Sequence, residues 1–519
     1  MQQESPKSPL PGVCLIGAGP GDPGLLTVKA LDRLRQAQVV IYDALADPSL
    51  LAQAPPDAIL IDAGKRARDH KLTQDQINQK LVEHAKTGRF VVRLKGGDPY
   101  LFGRGAEEAV YVASHGLDCE IIPGVTSGLA APATAGIPVT HRNLASSVTL
   151  ITGHETPDKP ESKLDYRTLA ALAIAGGTLC FYMGVGRMSA ILTSLVEHNL
   201  DPATPAAVVQ WGTLPRQRVA RGTVSNLDKL ANKAGISSPA IIVVGGVAGL
   251  DEPGLQGFIR RPLMGQRVLV TRTRVQASQL TDLLREQGAE VVEAPTIRIV
   301  PAKDPAALRA VVQRLSQVNW LALTSANAVD SLAEVMDEQG LDARSLAGLA
   351  VGVIGSSTAR RLRERLSIRA DVIPQESHGG ALADAMQAAS PQPGRALLLR
   401  ADLGGVDLPD RLRQAGWEVH DAEAYQTQPV DSLPESVVND LKAGQFDWVT
   451  LTSSSTAANL VSLLGDDAPL LSTIKRASIG PITSKTLTDL GYPPSVEATN
   501  ASIDSLVRAI VRETDKKQP

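Results

Sequence analysis

The chain has 519 residues, 43% hydrophobic and only 3% aromatic, enough for two to four α/β domains with aliphatic cores. Its formal net charge of -3 excludes a protein held to nucleic acid or to a membrane surface by bulk charge. Its cysteines, Cys14, Cys119 and Cys180, lie in or beside apolar runs without metal-type spacing, which reads as buried thiols in a reducing cytoplasm and no metal site.

Residues 1–11 are rich in proline and lack an apolar signal core, so they read as a disordered tail, and no apolar stretch reaches the length of a membrane span. The first strand is predicted at Val13-Cys14-Leu15-Ile16 and runs into Gly17-Ala18-Gly19-Pro20-Gly21-Asp22-Pro23-Gly24. This loop nearly matches a dinucleotide fingerprint and then departs from it. Asp22 stands where the third glycine belongs, and Pro20 and Pro23 each remove an N–H donor. A phosphate-free ligand suits such a loop, and a tight β-to-α turn without any ligand is the plainer reading. Short β-branched runs at Val39-Val40-Ile41, Phe90-Val91-Val92, Val148-Thr149-Leu150-Ile151 and Ile241-Ile242-Val243-Val244 then alternate with amphipathic stretches, the pattern of βα units. Between them, Gly96-Gly97-Asp98-Pro99 forms a second glycine-rich turn. Asp22 and Asp98 together favour a ligand offering amine, ribose hydroxyl or sulfonium groups.

Residues 251–265 carry prolines, glycines and charges without periodicity and read as a linker. A new strand at Arg267-Val268-Leu269-Val270 opens a second block with an internal repeat of 128 residues: Arg272 matches Arg400, Gly288 matches Gly416, and Thr324-Ser325 matches Thr452-Ser453. Two similar α/β lobes facing a cleft are predicted, roughly 266–300 plus 428–513 and 301–427.

The segments GAGPGDPGLLTVKA, VVIYDALADPSLL, GKRARDH, RLKGGDPYLFGRGAEEA, IIPGVTSGLAAPATAGIPVTHRNLASSVTLITGHE and FYMGVGR resemble the tetrapyrrole methylase family, specifically uroporphyrinogen-III C-methyltransferases, over residues 12–250. The resemblance implies a two-lobed methylase fold, S-adenosyl-L-methionine as methyl donor, and a homodimer formed through this half. It implies a cofactor pocket of Pro20, Gly96, Gly97, Asp98, Leu101, Thr126, Ser127, Met183 and Gly212, with Asp43 as proton acceptor and Lys65 as proton donor. Lys65, Arg66 and Arg68 are otherwise an ordinary solvated basic turn; with His141 and Arg142, the arginines are expected to bind a polycarboxylate substrate. Apart from the resemblance, Asp43 reads as a cap at a strand end and Met183 as core packing.

Residues 266–513 resemble the uroporphyrinogen-III synthase family through VLVTRTRVQASQLTDLLREQG, LTSANAV, VIGSSTARRL, DAEAYQT and SIGPITSKTLTDLG. This implies a lyase that closes hydroxymethylbilane, with Tyr425 helping water to leave and Arg272, Thr324, Ser325, Thr358, Thr452, Ser453 and Thr483 receiving carboxylate arms. Tyr425 read alone is a buried phenol bonded to backbone, and Arg272, Arg274 and Arg400 read alone are surface charges. The chain as a whole is then expected to be a bifunctional enzyme leading to precorrin-2 for sirohaem or cobalamin, acting on small-molecule tetrapyrroles. Two other readings stand beside this one: a methylase of a later corrin intermediate, and a second half that binds tetrapyrroles without catalysis.

Overall fold

The computed structural model describes residues 12–64, 72–153, 164–272, 274–376, 378–401 and 405–516. It divides into two units. One runs to Arg267 and takes in Leu284–Glu290; the other holds Val268–Leu283 and Val291–Glu513.

The first unit has two lobes, each built on a five-stranded sheet. Strands β1 (Val13–Gly17), β2 (Val39–Tyr42), β3 (Ile59–Asp62), β4 (Val91–Lys95) and β5 (Cys119–Ile122) lie in the order β3-β2-β4-β1-β5, all parallel. β1 and β4 are buried along their whole length, as strands covered by helices on both faces must be. The helix after β1 (Val28–Leu34) packs on one face, and the helix after β4 (Gly105–Ser114) on the other. The connections therefore part at the carboxyl ends of two neighbouring strands, the usual place of a ligand crevice in an open α/β sheet.

The second lobe is mixed. Strands β6 (Ser147–Thr152), β7 (Gly177–Tyr182), β8 (Pro205–Gln210), β9 (Arg218–Thr223) and β10 (Ala240–Val244) lie in the order β6-β7-β10-β8-β9, with only β6 and β7 parallel. The segment expected as a linker, 251–265, falls within this unit. Leu263 is fully buried, and Gly265 N donates to Pro215 O at 3.0 Å. An isolated leucine among prolines and charges was too short a signal for that burial.

The second unit is a strand-exchanged duplication. Its strands are β11 (Arg267–Val270), β12 (Glu290–Glu293), β13 (Ile297–Pro301), β14 (Trp320–Leu323), β15 (Ala350–Val353), β16 (Arg395–Ala401), β17 (Glu418–Pro429), β18 (Trp448–Leu451), β19 (Lys475–Ser478) and β20 (Val496–Glu497). One sheet runs β12-β11-β18-β19-β20 and the other β13-β17-β16-β14-β15. The 128-residue offset maps β11 onto β16, β12 onto β17 and β14 onto β18, and β15 answers to β19 at a slightly shorter step. Each lobe thus takes the leading strands of one repeat and the trailing strands of the other, so neither repeat closes a core alone.

The repeat survives in its caps. Ser325 Oγ accepts from Ala328 N at 3.1 Å and Ser453 Oγ from Thr456 N at 3.1 Å, each starting the helix after its strand. The predicted lobe boundary is corrected by a few residues. β13 pairs antiparallel with β17, so the chain changes lobes before Ile297 rather than after residue 300. No helix of the described residues is long and apolar enough to cross a membrane.

Candidate active sites

The first unit encloses a cavity of about 780 Å³. Its first wall is the pair of glycine turns at the ends of β1 and β4. Gly19 and Gly97 bridge each other, Gly97 N donating to Gly19 O at 2.7 Å and Gly19 N to Gly97 O at 3.3 Å. Behind this bridge the backbones touch. A Cβ on Gly17 would lie 2.5 Å from Gly97 O, and one on Gly124 only 2.2 Å from the same atom, so both positions demand glycine. Gly97 itself has φ +68° and open space where its Cβ would be.

Pro20, Gly96, Gly97, Asp98, Leu101, Thr126, Ser127, Met183 and Gly212, the positions drawn from the methylase resemblance, all line this cavity, and Asp43 lines it too. The opposite wall comes from the second lobe. Tyr182 ends β7, and its hydroxyl shares a hydrogen bond with Thr126 Oγ1 at 2.6 Å and accepts from Gly128 N at 2.8 Å. Burial pushes its phenol pKa up, so it stays a neutral tether. Phe102 packs edge-on against Tyr182, with centroids 5.0 Å apart. Phe102, Arg104, Met183 and Trp211 line the cavity in left-handed backbone conformations. Such conformations cost energy and collect where a wall must hold one shape.

Charged side chains that sequence reasoning missed form one side of the cavity. Arg93 and Lys95 continue β4 and are only 2% and 3% exposed. Arg93 Nη2 forms an ion pair with Asp43 Oδ1. Its Nε reaches Glu108 Oε1 at 3.4 Å, and Glu108 also receives Lys95 Nζ at 3.0 Å and Gln74 Nε2 at 3.0 Å. Glu108 is fully buried. Desolvation, with Arg93 next in weight, lowers the pKa of Lys95 despite the opposing pull of Glu108. The available signal was a βα register: Arg93 and Lys95 project from one strand, and Glu108 is in the first turn of the helix that follows.

Other expected residues fall differently. Asp98 lines the cavity, but its carboxylate is occupied by the fold: Oδ1 accepts from Tyr100 N at 2.8 Å and Oδ2 from Gly124 N at 3.0 Å. Asp22 caps its own turn through Gly24 N at 2.8 Å, and neither aspartate is the free ligand group expected from the motif. His141 and Arg142 are not among the lining residues. His141 is half-buried in a bridge with Ala145, and Arg142 is exposed. Lys65, Arg66 and Arg68 lie outside the described residues. No cluster of potential metal ligands occurs among the described residues.

A second cavity, of about 600 Å³, lies in the second unit between its lobes. Tyr425 lines it from β17, where Arg400 faces Glu423 but Ala401 faces Tyr425. This bulge at Ala424 turns the tyrosine. Its hydroxyl donates to Ser325 Oγ at 3.0 Å, and Ser325 in turn caps the helix Ala326–Glu338. Thr324, Thr427, Ser455 and Asn459 add polar groups. Arg400 also lines the cavity, with its guanidinium held by Asp421 at 2.8 Å and by Gly405 O at 2.6 Å.

Five of the expected residues lie off this lining. Thr358 and Thr483 are 1% and 4% exposed and line no part of the cavity, because each is the third residue of its helix and turns toward the core. Thr452, Ser453 and Arg272 are partly buried and also lie off the lining, with burial lowering the pKa of Arg272. Ser455, from the helix that Ser453 caps, reaches the cavity instead. Arg274 has no side-chain description.

Comparison with known proteins adds two family models in tandem. Residues 12–228 match the tetrapyrrole (corrin/porphyrin) methylases, and residues 278–508 match uroporphyrinogen-III synthase HemD. The porphyrin biosynthesis protein HemD of Ruminiclostridium josui is 35% identical over 95% of this chain and 96% of its own length. The chain belongs to the fused tetrapyrrole methylase and uroporphyrinogen-III synthase family. It is thus a bifunctional tetrapyrrole-biosynthesis enzyme with a methylase half and a synthase half. The methylase half is 48% identical to the S-adenosyl-L-methionine-dependent uroporphyrinogen III methyltransferase of Methanosarcina barkeri, covering 46% of this chain and 93% of that protein. It is also similar to the crystal structure of uroporphyrin-III C-methyltransferase from Thermus thermophilus complexed with S-adenyl homocysteine. There the identity is 38%, the coverage 45% of this chain and 97% of that one, and the TM-score 0.38.

Proposed function

We propose that the synthase half closes hydroxymethylbilane to uroporphyrinogen III with inversion of ring D, and that the methylase half methylates this product twice with S-adenosyl-L-methionine to precorrin-2. Sirohaem and cobalamin are the destinations of that product. The observation that carries the reading is the single cavity ringed by Pro20, Gly96, Gly97, Leu101, Thr126, Ser127, Met183 and Gly212, with Asp43 at its polar side.

The cavity suits that cofactor. Gly97 leaves room where a side chain would intrude, and Met183, Leu101 and Ala131 supply apolar surface. When bound, S-adenosyl-L-methionine supplies an electrophilic methyl group. The protein holds the electron-rich pyrrole carbon in line and excludes water, so positioning supplies most of the rate. Asp43 accepts the proton that the pyrrole ring system must release once its carbon has taken the methyl group, and Arg93, shared with Glu108, fixes the orientation of its carboxylate. Lys65 is the assigned proton donor, and Arg66, Arg68, His141 and Arg142 are the assigned carboxylate partners.

In the synthase half, Tyr425 donates to the departing hydroxyl, and Ser325 aligns the phenol. Thr324 and Ser455 face the carboxylate arms, Thr452, Ser453 and Arg272 act from behind them, and helix N-termini add positive potential. A homodimer through the methylase half, a cytoplasmic site of action, no nucleic-acid partner, and domain limits of 12–250 and 266–513 complete the proposal.

The test for the methylase half is calorimetric titration of the full chain with S-adenosyl-L-methionine, followed by turnover of uroporphyrinogen III. Binding with two methyl groups transferred is expected. Binding without transfer to this substrate contradicts the assignment.

A further inference from the structure

One hydrogen-bonded contact between the two lobes of the methylase unit, beside the cofactor cavity, is made by Thr213. Its backbone has φ +73°, a conformation that a β-branched residue rarely takes, and its side chain is 2% exposed. Two hydrogen bonds pin that backbone: Thr213 N donates to Thr134 Oγ1 at 3.2 Å and to Gln217 Oε1 at 3.0 Å. Thr134 Oγ1 also donates to Gln217 Oε1 at 2.6 Å, closing a small triangle around the turn. The threonine hydroxyl is thereby aimed at the other lobe, where Thr213 Oγ1 accepts from Asp22 N at 3.1 Å. Next to it, Leu214 packs so closely on Gly21 that a Cβ there would sit 2.9 Å from Leu214 Cγ.

The position of this contact gives it meaning. Asp22 follows Pro20 and Gly21 at the end of the first glycine turn, and Thr213 follows Gly212; Pro20 and Gly212 both line the cavity. The glycine turn is held on its own side by the Gly19–Gly97 bridge and on the far side by Thr213. We propose that Thr213 is a positioning residue that latches the Pro20 turn to the Gly212 turn and so sets the width of the cleft that receives S-adenosyl-L-methionine. This rests on the reading of the cavity as the cofactor site. The strained backbone is the cost of presenting a hydroxyl across the cleft, since relaxation to negative φ would swing that hydroxyl away from Asp22 N.

The test compares Thr213→Val, Thr213→Ser and Thr213→Gly in the full chain, with S-adenosyl-L-methionine affinity read by calorimetry and methylation by KM and kcat. Thr213→Val keeps the shape and removes only the acceptor. It is expected to weaken binding and raise KM about fivefold to tenfold, the size of one lost hydrogen bond, with kcat within about twofold. Thr213→Ser is expected to stay within about twofold of the unmodified chain, and Thr213→Gly, which relieves the strain but lacks the hydroxyl, to behave like Thr213→Val. A kcat for methylation that each variant retains within about twofold, with an unchanged far-UV circular dichroism spectrum, checks that the methylase unit has folded. Equal affinity in Thr213→Val and the unmodified chain, or a serine variant as weak as the valine one, overturns the latch. An unmodified chain that binds no S-adenosyl-L-methionine overturns the cofactor reading, and the latch with it.

Discussion

The two cavities solve the handling of charge in opposite ways. In the methylase unit Arg93, Lys95 and Glu108 are buried and bonded to one another, and Arg93 and Lys95 reach the cavity wall beside Asp43, the most exposed member at 30% of its side chain. In the synthase unit the cavity is lined by four hydroxyls, the Asn459 amide and apolar side chains beside Asp407 and Arg400, and Arg400 is already held by Asp421. Where a base must act at one atom, a fixed ionic frame is useful. For the ring closure proposed for the other half, hydroxyls and one amide beside a single satisfied cation would bind the arms without trapping any one of them.

The largest effect should come from the ionic side. Asp43→Asn is expected to lower methyl transfer by about 10²- to 10⁴-fold, the usual worth of a general base, with cofactor affinity retained and synthase turnover untouched. Unaltered methylation would remove Asp43 from the chemistry. Glu108→Gln leaves two buried cations without their shared counter-charge and is expected to cost the methylase unit about 3–5 kcal/mol in urea unfolding. A loss below about 1 kcal/mol would mean that the network does not hold the wall. On the neutral side, Tyr425→Phe should slow ring closure by about 10²-fold without changing the unfolding midpoint. Ser325→Ala should cost only about 1 kcal/mol, as the loss of one helix cap, and should misalign Tyr425 enough to lower turnover severalfold.

The smallest effect is a lack of reaction. Burial pushes the Cys14 and Cys180 thiols up to about 12 and Cys119 up to about 11, well above the ordinary thiol range. At pH 8 the native chain should therefore resist alkylation by iodoacetamide, and urea should release all three thiols. The pH direction follows from the raised values: native reactivity should climb only as the pH approaches 11, first at Cys119.

Much of the methylase cavity was legible because its wall is backbone. Glycines and prolines at strand ends announce turns, and their family spacing placed Pro20, Gly96, Gly97 and Gly212 on one cavity. The ionic frame was not legible in the same way. Arg93 and Lys95 look like the polar end of a strand, and only the pairing of β4 between β1 and β2 shows that they are buried. Asp22 and Asp98 show the converse case. Their charge suggested a ligand, whereas nearby backbone N–H groups claim it first. In the second unit the repeat was visible as a 128-residue offset, but the strand exchange depends on pairings far apart in the chain. Thr358 and Thr483 turn toward the core, which motif position does not report, since it does not say which side of a helix faces inward.

The most direct measurement supplies the full chain with hydroxymethylbilane alone and then with methyl-labelled S-adenosyl-L-methionine, following the products by isomer-resolving chromatography and mass. The account predicts uroporphyrinogen III in the first step and a doubly labelled precorrin-2 in the second. Formation of only the type-I isomer, which arises without enzyme, or a type-III product that takes up no label, would contradict it.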